Sequence, residues 1–246
     1  PFGHELAGTV DALGPGVTNV RKGDRIVLQS SGYCGVCSLC RDGRVDLCNK
    51  APHFWGEPAM GFSEYMMTPA ALAVPYDGLS PEAASLAEPA GVAFDMVKTA
   101  DIQMGDRVCV VGPGPIGLAG AALAVHRGAA RVVCVGHAHS KARFALAETL
   151  GAEPIAVDGP LDEAPGLGEA FDHVLMTAPT QSIAPGLALL AYGGEMTYIG
   201  IGTGASMIQF DANDFHFRKL QLRASFASPA VYFPAVLRLL QAGVIP

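Results

Sequence analysis

The sequence predicts an α/β protein with two parts, a turn-rich part with short strands and a doubly wound parallel sheet with helices on both faces. From about residue 93, continuous apolar strands alternate with helical segments, as in a parallel sheet that is buried on both sides. Residues 1 to about 92 instead contain short strand-like segments separated by turn residues. A length of 246 residues, half of them hydrophobic, is sufficient for two medium-sized domains.

The first part is predicted from its turns and caps. Lys22-Gly23-Asp24 predicts a turn that enters a strand, and Ser80 followed by Pro81 predicts a capped helix start. Strands are expected at residues 25–28, 62–67 and 71–74.

The second part is predicted from its alternation of apolar strands and helices. Strands are expected at residues 107–111, 131–135, 154–157, 173–176 and 195–199. Helices are expected at residues 116–127, 141–150 and 183–190. Gly-Asp-Arg occurs at Gly23 and at Gly105, and we interpret it as one turn type that enters a strand, not as an internal repeat.

Composition excludes two classes of partner. The chain has 16 basic and 23 acidic residues, so neither a nucleic acid nor an anionic membrane surface is expected to bind it. Its apolar stretches, such as residues 116–125, are too short to span a bilayer. The chain also opens directly on the dense motif Gly3-His4-Glu5 and ends as an apolar segment begins, so we expect truncation at both ends.

Four of the six cysteines, Cys34, Cys37, Cys40 and Cys48, lie in one short segment. Closely spaced thiolates can surround one zinc ion, and four protein ligands leave no open position, so we expect a structural zinc site. Four unrelated thiols and an iron–sulfur cluster are the alternatives. The clustered layout is unlike a secreted disulfide framework, which predicts a cytoplasmic protein.

A glycine-rich turn follows the strand at residues 107–111 and opens a helix. Gly112, Gly114 and Gly117 match a dinucleotide-binding turn, in which the glycines allow a tight turn, a close approach of the pyrophosphate and close helix packing. The helix start, with Pro115 and Ile116, offers N–H groups to the phosphates. A purely structural glycine turn is the alternative.

The adenosine end of this predicted site departs from the usual pattern. No acidic residue occurs between Arg131 and Ala147, and Gly136 stands where a ribose-binding carboxylate is expected. The residues His137, His139, Lys141 and Arg143 follow. They could supply positive charge or hydrogen bonds, which favours NADP over NAD, although ordinary solvated residues at a helix start are the alternative.

A histidine and two glutamates are the remaining candidates. His4 lies beside Glu5, and Glu88 is a single charge in an apolar helical segment, where it needs a partner or a metal ion. A structural histidine and an exposed helical glutamate are the alternatives. Phe54 and Trp55 could line a substrate pocket, and core packing would explain them equally well.

Taken in order along the chain, these motifs resemble the zinc-containing medium-chain dehydrogenases, in particular the sorbitol and polyol branch. The resemblance covers essentially the whole chain and includes Gly61-Phe62-Ser63-Glu64-Tyr65, Glu88-Pro89 and Tyr198-Ile199-Gly200. It implies a Rossmann domain plus a partial GroES-like, β-rich catalytic domain. The implied bounds are 1–92 for the catalytic part with the zinc lobe at 34–48, 93–227 for the Rossmann domain, and 228–246 for the return.

The resemblance also implies roles for individual residues. His4 resembles the histidine ligand of the catalytic zinc, Glu5 its neighbouring carboxylate or alternate ligand, and Glu88 the third ligand. The four cysteines resemble the structural zinc lobe, and Gly112, Gly114 and Gly117 the pyrophosphate turn. Thr177 fits a Thr of the cofactor site, although its flanks depart from the pattern.

The implied function is hydride transfer between a secondary alcohol or polyol and NAD(P), in a homodimer or homotetramer. A cysteine ligand upstream of His4 and the hydroxyl residues that relay the proton are absent from the sequence, so we expect that the catalytic zinc site is incomplete. A cofactor-binding protein without enzymatic activity is one alternative. A zinc-free quinone or enoyl reductase of the same superfamily is the other, and the cysteines, His4 and Glu88 argue against it.

Overall fold

The computed structural model describes residues 2–55, 57–161, 167, 170–202, 204 and 206–245. The chain divides into two compact units, Pro1–Val92 with Ala227–Pro246 (unit 1) and Ala93–Phe226 (unit 2). The predicted domain limits lie at or next to these positions, and they stay predictions. Pro1 and Pro246, the ends on which the truncation hypothesis depends, lie outside the described residues.

Within the described residues, unit 1 contains a three-stranded antiparallel sheet in the order β1-β2-β3. Its strands are β1 (Ala7–Thr9), β2 (Arg25–Leu28) and β3 (Ala73–Pro75). The prediction of β2 is confirmed with the same bounds. Side chains of β2 and β3 belong to one hydrophobic core, which is formed by Val10, Val20, Ile26, Leu28, Phe54, Met60, Leu72 and Ala73.

Two strand predictions in unit 1 need correction. Residues 71–74 begin as a 3-10 turn, Ala70–Leu72, and only then enter β3. The strand predicted at 62–67 is wrong, since these residues form bends and extended chain. Phe62, Tyr65 and Met67 are exposed, and no paired strand is assigned next to this segment in the described part of the chain. Apolar residues alone do not make a strand when no neighbour satisfies the backbone.

The helices of unit 1 are α1 (Ser38–Arg41), α2 (Pro81–Ser85), α3 (Ala87–Thr99), which continues into unit 2, and α8 (Phe233–Gln241). The predicted start of α2 is confirmed, since the Ser80 hydroxyl accepts a hydrogen bond from the Ala83 N–H at 3.2 Å. Pro81 occupies the first helical position, where its missing N–H costs nothing.

Unit 2 contains, within the described residues, six parallel strands in the order β6-β5-β4-β7-β8-β9. This order places the first and fourth strands of the unit side by side, which is the doubly wound arrangement of dinucleotide-binding domains. The predicted α/β fold class is confirmed. The strands are β4 (Arg107–Val111), β5 (Arg131–Gly136), β6 (Glu153–Ala156), β7 (Phe171–Met176), β8 (Leu190–Tyr198) and β9 (Gln221–Ala224).

The helices that belong to unit 2 alone are α4 (Pro115–His126), α5 (Lys141–Thr149), α6 (Ile183–Gly186) and α7 (Ala212–Phe217). The helix predicted at 183–190 is too long, because a 3-10 turn follows α6 and Leu190 already pairs with Phe171 in the sheet. In the described ranges every helix is too short or too polar to cross a lipid bilayer.

Candidate functional site

The four clustered cysteines converge although their segment contains little regular structure. Their Sγ atoms all lie within 4.8 Å of one another, and all six cysteines of the chain are free. Backbone N–H groups point at the sulfurs: that of Cys34 donates to the Cys48 Sγ at 3.3 Å, and that of Cys40 to the Cys37 Sγ at 3.5 Å. The short helix α1 begins after Cys37 and carries Cys40 back toward Cys34, where the two Sγ atoms are 4.0 Å apart.

The pKa values of two of these thiols, Cys34 and Cys40, are shifted in opposite directions. Hydrogen bonds from backbone N–H groups, that of Val36 first, lower the pKa of the Cys34 thiol to about 6. Burial raises the pKa of Cys40 to about 12, and its hydrogen bond with Cys37 adds to the effect. Without a cation, neighbouring thiolates repel one another, so these four groups cannot all ionise together.

The donor set fits a single zinc ion. Tetrahedral Zn–S bonds of about 2.3 Å require sulfurs about 3.8 Å apart, and the Cys34–Cys40 separation of 4.0 Å is close to that value. A cluster of several irons would need its cysteines spread more widely around it. Thiolate sulfur is the ligand type that structural zinc sites prefer.

A second donor group in unit 1 joins His4, Glu5 and Glu88, whose donor atoms all lie within 4.8 Å of one another. The His4 Nε2 atom is 3.6 Å from a carboxylate oxygen of Glu88. The segment around His4 is positioned by Gly61, whose N–H donates to the Gly3 carbonyl at 3.0 Å. A Cβ atom at position 61 would lie 3.0 Å from that carbonyl oxygen. This close approach explains why the motif at 61–65 begins with glycine.

The Glu88 carboxyl of this group is partly buried and has a shifted pKa. Burial raises the pKa of the Glu88 carboxyl, the charge of Glu5 raises it further, and His4 lowers it. An imidazole and two carboxylates at this spacing are ligands that zinc accepts, and three protein ligands leave a position open. The residues therefore fit a catalytic type of zinc site.

The two aromatic candidates for a substrate pocket, Phe54 and Trp55, differ in their exposure. Phe54 is fully buried in the core of unit 1, so it does not line a pocket. Trp55 is half exposed, and its ring lies 5.0 Å from the His4 ring between centroids. Trp55 thus forms an aromatic wall beside the donor group, where an apolar part of a ligand could pack.

In unit 2 the glycine-rich turn has the shape that its sequence predicts. Gly112 has φ +106°, a left-handed conformation that favours glycine, and a Cβ at Gly117 would lie only 2.0 Å from the Gly112 carbonyl oxygen. Both glycines are therefore required by the fold itself. Thr177 stabilises the same turn, because its hydroxyl contacts the carbonyl oxygens of Val111 at 3.0 Å and Gly112 at 2.8 Å.

Gly114 differs from its two neighbours in the motif. A Cβ atom there would meet no protein atom within 4 Å, so the fold does not demand glycine at this position. Gly114 is the N-cap of α4, Pro115 follows at the start of the helix, and no side chain caps it. The first-turn N–H groups, including those of Ile116 and Gly117, have no partners within the helix itself, so they are available to an anion. This open space at a helix start fits the pyrophosphate of a dinucleotide.

Gly136 has a different explanation from the one that the sequence predicts. A Cβ atom at this position would lie 2.5 Å from the Pro113 Cγ atom, so packing against the glycine-rich turn excludes a side chain. Its lack of a carboxylate is thus not by itself a signal of cofactor choice. The Gly112 N–H also donates to the Val135 carbonyl at 2.9 Å, which joins the turn to the end of β5.

Asp158, an acidic residue that the sequence analysis does not single out, lies beside the loop that follows β5. Asp158 follows the neighbouring strand β6, and its Oδ1 atom accepts a hydrogen bond from the Ala138 N–H at 3.1 Å and lies 3.3 Å from the His137 Nδ1 atom. The ring of His137 stacks on that of His139 at 5.5 Å between centroids. Lys141 is exposed at the start of α5. The dinucleotide-binding pattern expects the acid after the second strand, whereas Asp158 follows the third strand, and only the pairing of β5 with β6 brings it to this loop.

One unit with two metal-donor groups and another with a strand–glycine turn–helix are typical of metal-dependent, dinucleotide-linked enzymes. The comparisons with known proteins agree. Residues 1–78 match the family described as "Alcohol dehydrogenase GroES-like domain", and residues 115–242 match "Zinc-binding dehydrogenase". L-galactonate-5-dehydrogenase of Escherichia coli (strain K12) is 30% identical over 248 residues, which cover 99% of this chain and 72% of that protein.

Two solved structures extend the similarity to the fold. A thermostable alcohol dehydrogenase from Pyrobaculum aerophilum matches with a TM-score of 0.86 and 26% identity, over 99% of this chain and 72% of that one. A zinc-binding dehydrogenase from Sinorhizobium meliloti 1021 bound to NADP matches with a TM-score of 0.83 and 27% identity, over 99% and 73%. The chain spans between 65% and 72% of the length of the first curated relatives that it matches.

The chain belongs to the zinc-dependent medium-chain alcohol and polyol dehydrogenase family. Its members are NAD(P)-linked oxidoreductases, and the predicted fold, with a GroES-like part and a Rossmann sheet, is that of the family.

Proposed function

We propose that this chain oxidises a secondary alcohol or polyol, or reduces the corresponding ketone, with a nicotinamide dinucleotide and a zinc ion held by His4, Glu5 and Glu88. The observation that carries the proposal is the convergence of these three donors within 4.8 Å. When bound, the zinc supplies a Lewis acid that lowers the pKa of a substrate hydroxyl, and the nicotinamide supplies the hydride acceptor.

The protein's part in this chemistry begins with charge. Glu5 and Glu88 place two carboxylates near one imidazole, and burial, with the charge of Glu5, raises the pKa of the Glu88 carboxyl. The hydrogen bond from Gly61 to the Gly3 carbonyl positions the backbone beside His4, and the His4 ring lies 5.0 Å from the Trp55 ring between centroids. Glu5, which the resemblance implies as a neighbouring carboxylate or alternate ligand, brings the number of candidate ligands in the group to three.

Substrate selection is assigned to the surroundings of this group. Trp55 presents a half-exposed aromatic face beside His4, which suits the carbon skeleton of an alcohol. Alcohols with several hydroxyls would also find the exposed carboxylate of Glu5 as an acceptor. A secondary alcohol or polyol is therefore the proposed class of substrate.

Unit 2 is proposed to bind the dinucleotide. Gly114 leaves room for the pyrophosphate, the start of α4 supplies N–H groups, and Thr177 keeps the turn in place. The preference for NADP over NAD, which rests on the missing acid and on His137 and Lys141, stays a prediction. It is weakened by the contact of Gly136 with Pro113 and by the position of Asp158.

The cysteine lobe is proposed to hold a second, structural zinc. Its four thiols fill all positions of a tetrahedron, so it has no place for a substrate. The free cysteines agree with a reducing compartment, and a cytoplasmic location stays a prediction. The homodimer or homotetramer expected from the resemblance also stays a prediction.

The test is a metal-dependence assay on the purified chain. Reduction of NAD and NADP is followed at the nicotinamide absorbance with a panel of secondary alcohols and polyols, before and after chelation. The proposal expects that activity disappears with chelation and returns with zinc, while dinucleotide binding measured by calorimetry survives chelation. Dinucleotide binding without any metal-dependent turnover would favour the cofactor-binding protein instead, and turnover that survives chelation would favour the zinc-free reductase.

A further inference from the structure

The glycine-rich turn, Gly136 and Asp158 lie at the carboxyl ends of three adjacent parallel strands of unit 2. β4 leads into the glycine-rich turn, β5 ends at Gly136, and β6 leads to Asp158. Gly136 pairs with Ala156 of β6, and its carbonyl accepts a hydrogen bond from the Val157 N–H at 2.8 Å. This pairing places Asp158 beside the loop that follows β5.

The Asp158 carboxylate contacts two hydrogen-bonding groups of that loop, the Ala138 N–H and the His137 ring. It accepts from the Ala138 N–H at 3.1 Å and lies 3.3 Å from the His137 Nδ1 atom, which can carry a proton. A backbone N–H and an imidazole N–H are donors that a phosphate group would also use. A carboxylate and a phosphate at this place would compete for the same donors and repel each other.

The position matters because the adenosine ribose of a dinucleotide binds at the end of the strand that follows the glycine-rich turn. In the usual arrangement an acid on that strand accepts a hydrogen bond from the ribose 2′-hydroxyl. Here Pro113 excludes any side chain at Gly136, and the carboxylate comes from the next strand.

We infer that Asp158 is the residue that discriminates against a 2′-phosphate on the cofactor, by occupying the N–H donors of the loop after β5. The inference rests on the proposed binding of a nicotinamide dinucleotide by unit 2. A 2′-hydroxyl can donate to the carboxylate, whereas a 2′-phosphate can only repel it and must displace it from Ala138. Asp158 therefore opposes the positively charged Lys141, which would favour the phosphate.

The side chains of Asp158 and His137 are about two thirds exposed, so substitution of Asp158 leaves the core unchanged. Asp158→Asn removes the charge and keeps an oxygen that can accept from Ala138. Asp158→Ala removes both the charge and the acceptor. Glu148→Gln is the matched control, because Glu148 is exposed on α5 and carries the same charge without a place in this loop.

The experiment is calorimetric titration of each variant with 5′-AMP and with 2′,5′-ADP, the adenosine halves of NAD and NADP, and then with NADH and NADPH. For Asp158→Asn we expect a gain in affinity for 2′,5′-ADP of about tenfold, from the loss of one like charge at close range. The affinity for 5′-AMP should change less than about twofold. Thermal unfolding of each variant checks that the fold is retained.

Several outcomes would overturn the inference. If both fragments lose affinity equally in Asp158→Asn and Asp158→Ala, the carboxylate only supports the loop. An equal gain in Glu148→Gln would make the effect one of overall charge. If the unchanged chain binds neither fragment and neither dinucleotide, the proposed function fails, and the inference fails with it. Normal binding with an unchanged preference in Asp158→Asn removes the inference alone.

Discussion

The imidazole of His4 lies 3.6 Å from the carboxylate of Glu88, although one residue comes from a loop near the amino terminus and the other from the first turn of α3. The contact brings together an imidazole and two carboxylates when Glu5 is included. Burial raises the pKa of the Glu88 carboxyl, and the neighbouring His4 lowers it. The first prediction follows from this arrangement.

Replacement of Glu88 with Ala should abolish turnover and leave dinucleotide binding intact. Loss of a ligand is expected to lower kcat by at least about a hundredfold. Substitution of residues that only hydrogen-bond to a metal ligand already lowers metal affinity or activity by about tenfold to a hundredfold. Steady-state rates and NADH titration of the same preparation measure the two effects. Glu82→Ala is the control, since Glu82 is an exposed glutamate of the same unit. Unchanged turnover in Glu88→Ala would remove Glu88 from the site.

Replacement of Cys40 with Ser should remove the structural zinc. Its thiol lies within the four-sulfur group, and a site with three sulfurs holds zinc less tightly. Bound zinc should fall by one ion per chain, and the thermal midpoint of unfolding should fall by several degrees. Cys109→Ala provides the comparison, because Cys109 is buried in β4 and should not affect the zinc content. Equal zinc in both variants would contradict the assignment of the lobe.

Substitution of Gly117 should affect the stability of unit 2, whereas substitution of Gly114 should affect dinucleotide binding. Gly117→Ala should destabilise unit 2, since its Cβ would overlap the Gly112 carbonyl oxygen. Gly114→Ala meets no protein atom and should fold with a thermal midpoint near that of the unchanged chain. It should nevertheless weaken NADH binding by about tenfold or more, because the methyl group enters the space proposed for the pyrophosphate. Normal NADH affinity in a folded Gly114→Ala protein would rule out that use of the space.

How far the sequence predicts this molecule depends on how local each feature is. The strand Arg25–Leu28 and the cap at Ser80 were predictable, because turn and capping residues act on their immediate neighbours. The parallel sheet followed from strand patterns in the same way. The convergence of the cysteines was predictable from their spacing within one short segment, although their use as zinc ligands stays a prediction.

Features that depend on distant partners were not predictable. The segment 62–67 has the composition of a strand but no strand beside it among the described residues. The sequence suggests that Gly136 replaces a ribose-binding acid. Its contact with Pro113 cannot be predicted, because it depends on how β4 and β5 pack. Asp158 was missed because only the strand order places the end of β6 beside the loop after β5.

An ion pair in unit 2 gives a prediction about acid stability. Hydrogen bonds from Arg107, including two from its guanidinium, hold the pKa of Asp172 below its usual value. A carboxyl whose pKa is lower in the folded state contributes stability at pH above its unfolded pKa of about 4. That contribution is lost as the pH falls through the lower, folded pKa.

Asp172→Asn should therefore reduce the free energy of unfolding at pH 7 and reduce its fall between about pH 5 and pH 2. Because the pair is more than a third exposed, the effect should be modest. Urea unfolding at a series of pH values measures it. A variant with the same acid dependence as the unchanged chain would show that this pair does not contribute to the loss of stability in acid.

We propose that one chain holds two zinc ions, one in the cysteine lobe and one at His4, Glu5 and Glu88. The most direct test is the zinc content per chain after purification and dialysis against zinc, measured by elemental analysis. We predict two ions per chain, with one lost in Cys40→Ser and the other lost in Glu88→Ala. A content of one ion that survives in Glu88→Ala would contradict the catalytic site, and a content that neither substitution changes would contradict both sites.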